Sequence, residues 1–253
     1  MTPYIKLLFK SHIIEVRIMG ITIENVASSI GQTITDIYGR KVGVLVSVYS
    51  DFDGKVTAVE IMTNDMTYET LSSDRLEHGI DGIKILPEWV IEARKIERKL
   101  DVIKKRFKAL EELYKKNQIA QHAYKELKEK FAKEIERVKI ETKNTKELLR
   151  KRINELENFV IHIEKAMTHL IVSYTAGEIP ETGFKISADF MRFARQAAID
   201  ERKDLDKHLG LIEKLEQELV SIVSGFEESQ TIATPAQPVT QPSPTPLAVK
   251  VVS

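Results

Sequence analysis

After Pro87 the chain runs to Ala176 without another proline or glycine, and its apolar residues follow a fixed rhythm. Trp89, Ala93, Ile96, Leu100, Ile103, Phe107, Leu110 and Tyr114 recur at alternating steps of four and three. An average spacing of 3.5 keeps one narrow stripe on a partner helix, so the pattern predicts a coiled coil. The positions between are almost all Lys, Arg, Glu and Asp, which excludes a membrane span and leaves no broad face for a globular core. In a parallel in-register dimer, Glu92 would meet Glu97 and Lys99 would meet Lys104, two repulsions against one attraction between Arg106 and Glu111. Antiparallel pairing is therefore expected.

The rhythm breaks at Asn117 and Gln118, where a short loop predicts a hairpin. The first helix is expected over 88–116 and a second over 120–176, seamed by Tyr124, Leu127, Phe131, Ile135 and Val138. Thr142 and Thr145 make the seam polar and predict looser packing there, before Leu149, Leu156, Val160 and Ile163 restore it. Gly177, Pro180 and Gly183 predict a loop, Ser187 a cap, and Gly225 the end of a third helix over 187–224. The picture is a zigzag of three helices, with a two-chain bundle on the same seams as the alternative. Glu–Lys pairs four residues apart, among them Glu111–Lys115 and Glu126–Lys130, add about 0.2–0.5 kcal/mol each.

Upstream, over 20–87, short β-branched runs alternate with turn residues. Val44 to Tyr49, Val56 to Met62, Thr67 to Leu71 and Ile83 to Leu86 read as strands, with Asp51 to Lys55 and Asn64–Asp65 as turns. Five or six such strands predict a small barrel. Residues 1–19 form an N-terminal extension, read either as a short membrane-touching or docking segment or as a part outside the folded unit, with Met19 as an alternative start. Residues 226–246 hold five of the eight prolines and predict a disordered linker. The chain then ends in Leu247, Ala248, Val249, Lys250, Val251 and Val252, which suggest a strand that adds to another protein's sheet, or else an incidental apolar tail. The fold class is thus α+β, a small N-terminal β-barrel followed by long antiparallel coiled-coil helices and a disordered tail.

Lys plus Arg and Asp plus Glu are equal at 38 each, so no overall field draws the 253-residue chain to nucleic acid or anionic lipid. Lys104, Lys105, Arg106 and Lys108 are the one basic cluster, a candidate phosphate or lipid contact or else a solvated coil face. Phe52 and Trp89 are candidates for a lipid contact, with core packing as the commoner role. Zero cysteines remove thiolate catalysis and Cys-ligated zinc. The six histidines read as exposed coil residues without metal-binding spacing, and Gly39 and Gly43 read as turn glycines without phosphate-loop register. No catalytic, metal or cofactor site is expected, nor a perturbed carboxylate pair.

Several phrases resemble the archaeal cell-division protein A (CdvA) family. They are Ile30-Gly31-Gln32, Asp36-Ile37-Tyr38-Gly39-Arg40 with Val42-Gly43, Leu86-Pro87-Glu88-Trp89, Ala109-Leu110-Glu111-Glu112-Leu113-Tyr114, Ile163-Glu164-Lys165-Ala166-Met167 and Val249-Lys250-Val251-Val252. The resemblance implies a PRC-barrel head and a non-enzymatic scaffold that polymerises at the division site, on the cytoplasmic membrane face at mid-cell. It also implies recruitment of an ESCRT-III-like, CdvB-type protein, whose winged-helix-type domain takes Pro246 to Val252 as an added strand. Membrane and DNA are further ligands implied for the family, without residues here to carry them. The competing reading is a PRC-barrel adaptor in RNA maturation or another nucleic-acid process.

Overall fold

The computed structural model describes residues 21–231 except 64, 80 and 81, with side chains to 224. The N-terminal extension, residues 232–246 of the linker and the terminal peptide Pro246 to Val252 lie outside the described residues. A short helix α1 (Ile23–Ala27) precedes six strands, β1 (Thr33–Asp36), β2 (Lys41–Ser50), β3 (Val56–Thr63), β4 (Tyr68–Ser72), β5 (Leu76–Gly79) and β6 (Gly82–Ile85). They form one sheet in the order β4-β3-β2-β1-β6-β5, antiparallel except where β6 returns parallel to β1. The sheet curls into a half-barrel around Val26, Ile34, Leu45, Val59, Ile61, Leu71 and Ile85.

Its outer strands β4 and β5 are joined by a 3₁₀ turn, Ser73–Arg75, which Arg75 ties to the exit of β6 through its Nε and the Leu86 carbonyl at 3.2 Å. The β2–β3 turn is built on Asp51, whose Oδ1 accepts the N–H groups of Asp53 and Lys55. A bulge in β2 between Leu45 and Ser47 changes which residues face inward. Leu45 points into the core before it, whereas Val48 packs inward after it and Tyr49 faces out. Gly43 corrects its reading as a turn residue. It lies within β2, where a Cβ would stand 2.4 Å from the Met62 carbonyl oxygen.

Three helices follow, α2 (Glu88–Lys115), α3 (Gln121–Thr175) and α4 (Glu181–Thr231). The hairpin expected at Asn117 is there, and α2 and α3 of the same chain pack together. Both reversals share one design. Asn117 (φ 54) and Gly177 (φ 75) take left-handed backbone, and the N–H groups of Gln118 and Glu178 reach back to the carbonyls of Leu113 and Ser173. At each turn an aromatic pair stacks across the two helices, Tyr114 on Tyr124 at 3.9 Å and Tyr174 on Phe184 at 4.3 Å.

α4 differs from expectation at both ends. It starts at Glu181 rather than Ser187, because Pro180 ends the turn and its carbonyl accepts the Phe184 N–H. It also runs through Gly225 to Thr231, since one glycine costs a helix interior only about 1 kcal/mol. Nor is the arrangement a simple zigzag. α4 returns antiparallel to α3 and parallel to α2, so that along α2 all three helices share a core of Leu100, Val138, Leu149, Leu205 and Ile212. That third helix removes the expected loosening. Thr142 and Thr145 are buried, and the Thr142 hydroxyl donates to the Val138 carbonyl at 2.7 Å. Glu111 is likewise buried rather than on the solvated face, and accepts the Tyr124 hydroxyl at 2.7 Å.

Candidate interaction surfaces and the buried charge between head and rod

The half-barrel meets the rod through its β1–β2 turn. Asp36 shapes that turn, its Oδ1 accepting the N–H groups of Tyr38 and Arg40 and its Oδ2 accepting Arg40 Nε at 2.6 Å. Gly39 (φ +80) brings the backbone against α4, where a Cβ would sit 3.4 Å from Phe193 Cζ. Beside it the Tyr38 hydroxyl donates to Asp204 Oδ2 at 3.3 Å, and the Arg40 guanidinium lies over the Tyr38 ring. The Asp36-to-Arg40 phrase therefore works as the clasp between the two halves of the molecule.

At the centre of this joint is Glu201 of α4, fully buried. Its carboxylate accepts Trp89 Nε1 from α2 at 3.0 Å and Arg152 Nε and Nη2 from α3 at 2.8 and 3.1 Å, and pairs with Arg40 Nη1 at 2.6 Å. One side chain thus joins the head to all three long helices. Burial pushes the Glu201 carboxyl up, but the Arg152 hydrogen bonds and the charges of Arg40 and Arg152 outweigh it and hold it below the usual carboxylate range. Those hydrogen bonds in turn hold the Arg152 guanidinium above its ordinary value. Burial and the Asp204 and Glu201 charges keep the Tyr38 phenol far above its own. A cleft of about 350 Å³ opens beside the joint, lined by Arg75, Pro87, Leu148 and Glu155 among others.

A carboxylate saturated by two permanent cations and an indole N–H has no proton to give and no reason to take one near neutrality, so the arrangement serves cohesion rather than acid–base chemistry. Its pH dependence follows from the depressed value. The stabilisation is complete above the ordinary glutamate pKa of about 4.3 and is lost as pH falls through the lower value held in the fold. Acid titration followed by the emission of Trp89, the sole tryptophan, should show a transition below that pH. Glu201→Gln should remove this transition.

The basic cluster is divided by the fold. Lys104 pairs with Glu218 of α4 at 2.9 Å, whereas Lys105, Arg106 and Lys108 are exposed, Lys105 pairing with Asp101 of its own helix at 2.6 Å. One of the four cations is thus spent on the bundle. Trp89 is core, while Phe52 stands fully exposed at the β2–β3 tip. His208 corrects the reading of the histidines as exposed coil residues. It is partly buried against Glu97 and meets the Trp89 ring edge-on at 5.6 Å. Among the described residues no group of three His, Asp or Glu is placed to hold a metal, and no helix is long and apolar enough to cross a membrane.

The family model described as a CdvA-like coiled-coil domain matches residues 88–234. The chain is also 34% identical over 204 residues to the cell division protein A of Sulfolobus acidocaldarius, covering 81% of this chain and 85% of that protein. No solved structure matches.

Proposed function

Because the chain belongs to the CdvA family, we propose that it is a non-enzymatic cell-division scaffold that self-assembles on the cytoplasmic membrane face and recruits an ESCRT-III-like subunit through its terminal peptide. The observation that carries this reading is the likeness to a cell division protein over most of both chains. The architecture agrees with it. A half-barrel clasped to a helical rod by a buried ion network gives a rigid spacer. α3 alone extends about 80 Å at 1.5 Å per residue.

The peptide's chemistry supports its role. In an added strand, Leu247, Val249 and Val251 face one side and Ala248, Lys250 and Val252 the other. Backbone hydrogen bonds then supply affinity, and pockets on one side supply specificity. Removing residues 246–253 should abolish binding to the winged-helix-type domain of a CdvB-type partner, read by calorimetry, with the far-UV circular dichroism of the rod unchanged. Binding retained at full strength would falsify the recruitment reading.

A further inference from the structure

Beyond the joint, the α3–α4 hairpin continues as two helices alone, and its two flanks are unlike. On one flank, ion pairs cross between the helices, Arg195 with Glu164 at 3.1 Å and Arg202 with Glu157 at 2.9 Å. The other flank continues the side on which α2 and the head pack. Arg152 points there to reach Glu201, and Phe159 lies seven residues, two turns, further along the same stripe. On α4, Phe193 touches the Gly39 turn and Ala197 is buried, so Phe190 and Ile186, next along that stripe, face the same way.

Ten positions make up this flank, namely 159, 162, 166, 169 and 173 of α3 and 183, 186, 190, 193 and 197 of α4. None is Asp, Glu, Lys or Arg, in a chain where 30% of residues are charged. Several are small, which allows helices to approach closely. The large ones stand open, with Phe190 71% exposed, Ile186 61% and Phe159 45%. Loss of charge together with exposed aromatic side chains is the composition of an interface core. α2 cannot cover it, because α2 begins at Glu88 beside the head and runs away from it.

We infer that this flank is where a second copy of the chain docks, flank against flank about a two-fold axis, so that two hairpins close a four-helix bundle. The inference rests on the self-assembly proposed above and assigns residues to it. A second copy is the occupant that the chemistry favours. A surface of apolar and small residues with two histidines, His162 and His169, and no formal charge at pH 7 is complementary to itself and repels no copy of itself. The flank is also continuous with the one that α2 already packs against within the chain, so the same helix geometry can be repeated there by a helix from outside.

The test is sedimentation of the full chain across a concentration series, for the wild type, Phe190→Glu, Phe159→Glu and a control, Lys165→Glu, whose residue is exposed on the outward side of α3. Phe190 is lost twice per pair, so Phe190→Glu should weaken association by ~100-fold or more. Phe159→Glu should act in the same direction and Lys165→Glu should leave association unchanged, all with unaltered circular dichroism. Assembly of Phe190→Glu and Phe159→Glu at wild-type strength overturns this inference alone. Disruption by Lys165→Glu to the same degree also overturns it. A wild type that stays monomeric throughout overturns both the inference and the self-assembly reading, leaving the flank to another occupant.

Discussion

Glu201→Ala is expected to cost the folded chain about 3 kcal/mol, the lower end of the range for breaking a buried charge network. The lower end applies because the Arg40 and Arg152 side chains keep 30% and 34% of their exposure, and water can partly rescue them. Arg40 retains Asp36 and Arg152 retains Glu155, but Trp89 Nε1 loses its acceptor inside the core. Against a total stability of about 5–15 kcal/mol, that is a large fraction. Urea unfolding followed by Trp89 emission and by helical circular dichroism should both move to lower denaturant. Replacing the carboxylate and its Arg152 partner together by Leu and Met should recover part of the loss, since Arg152 is no longer left unpaired while Arg40 keeps only Asp36 and Trp89 Nε1 stays without its acceptor. A cost below about 1 kcal/mol for the single change would mean that the joint behaves as a surface ion pair.

Gly43→Val should be at least as damaging, and to a different part of the molecule. Gly43 is hemmed in between Ile34 of β1 and Thr63 of β3, and the obstacle to a side chain there is the Met62 carbonyl, which is backbone and cannot rotate away. Overpacking of this kind costs about 1–3 kcal/mol where side chains can adjust, and here strands must separate. The expected outcome is loss of dispersed β-domain amide resonances while the helical signal of the rod largely persists. Intact resonances would show that β2 and β3 part more easily than their pairing implies.

The helical rod was legible because its seam is a strict pattern. Trp89, Ala93, Ile96, Leu100, Ile103, Phe107 and Leu110 are all buried as their spacing predicts. Glu201 was not legible. A charged residue on an apolar stripe reads as a break in the pattern, and its partners stand 49 and 112 residues away in the chain, where no periodicity connects them. Thr142 and Thr145 failed for the same reason, since a stripe seen against one partner helix gives no hint of a second. The clasp residues Asp36 to Arg40 were visible as a phrase, but their task needs α4 beside them. Tyr114, Asn117, Ile119 and Tyr124 recur as Tyr174, Gly177, Ile179 and Phe184 at the same spacing, so the first reversal announced the second, and with it the early start of α4.

The direction of α4 sets where the two ends of the rod point. From Glu201 the helix runs about 45 Å outward to Thr231, on the opposite side of the head from the Gly177 turn. The far end of α4 therefore stands at one pole while the uncharged flank lies toward the other. In a pair joined flank to flank, the two α4 ends at Thr231 would lie at opposite extremes, each clear of the seam between the copies.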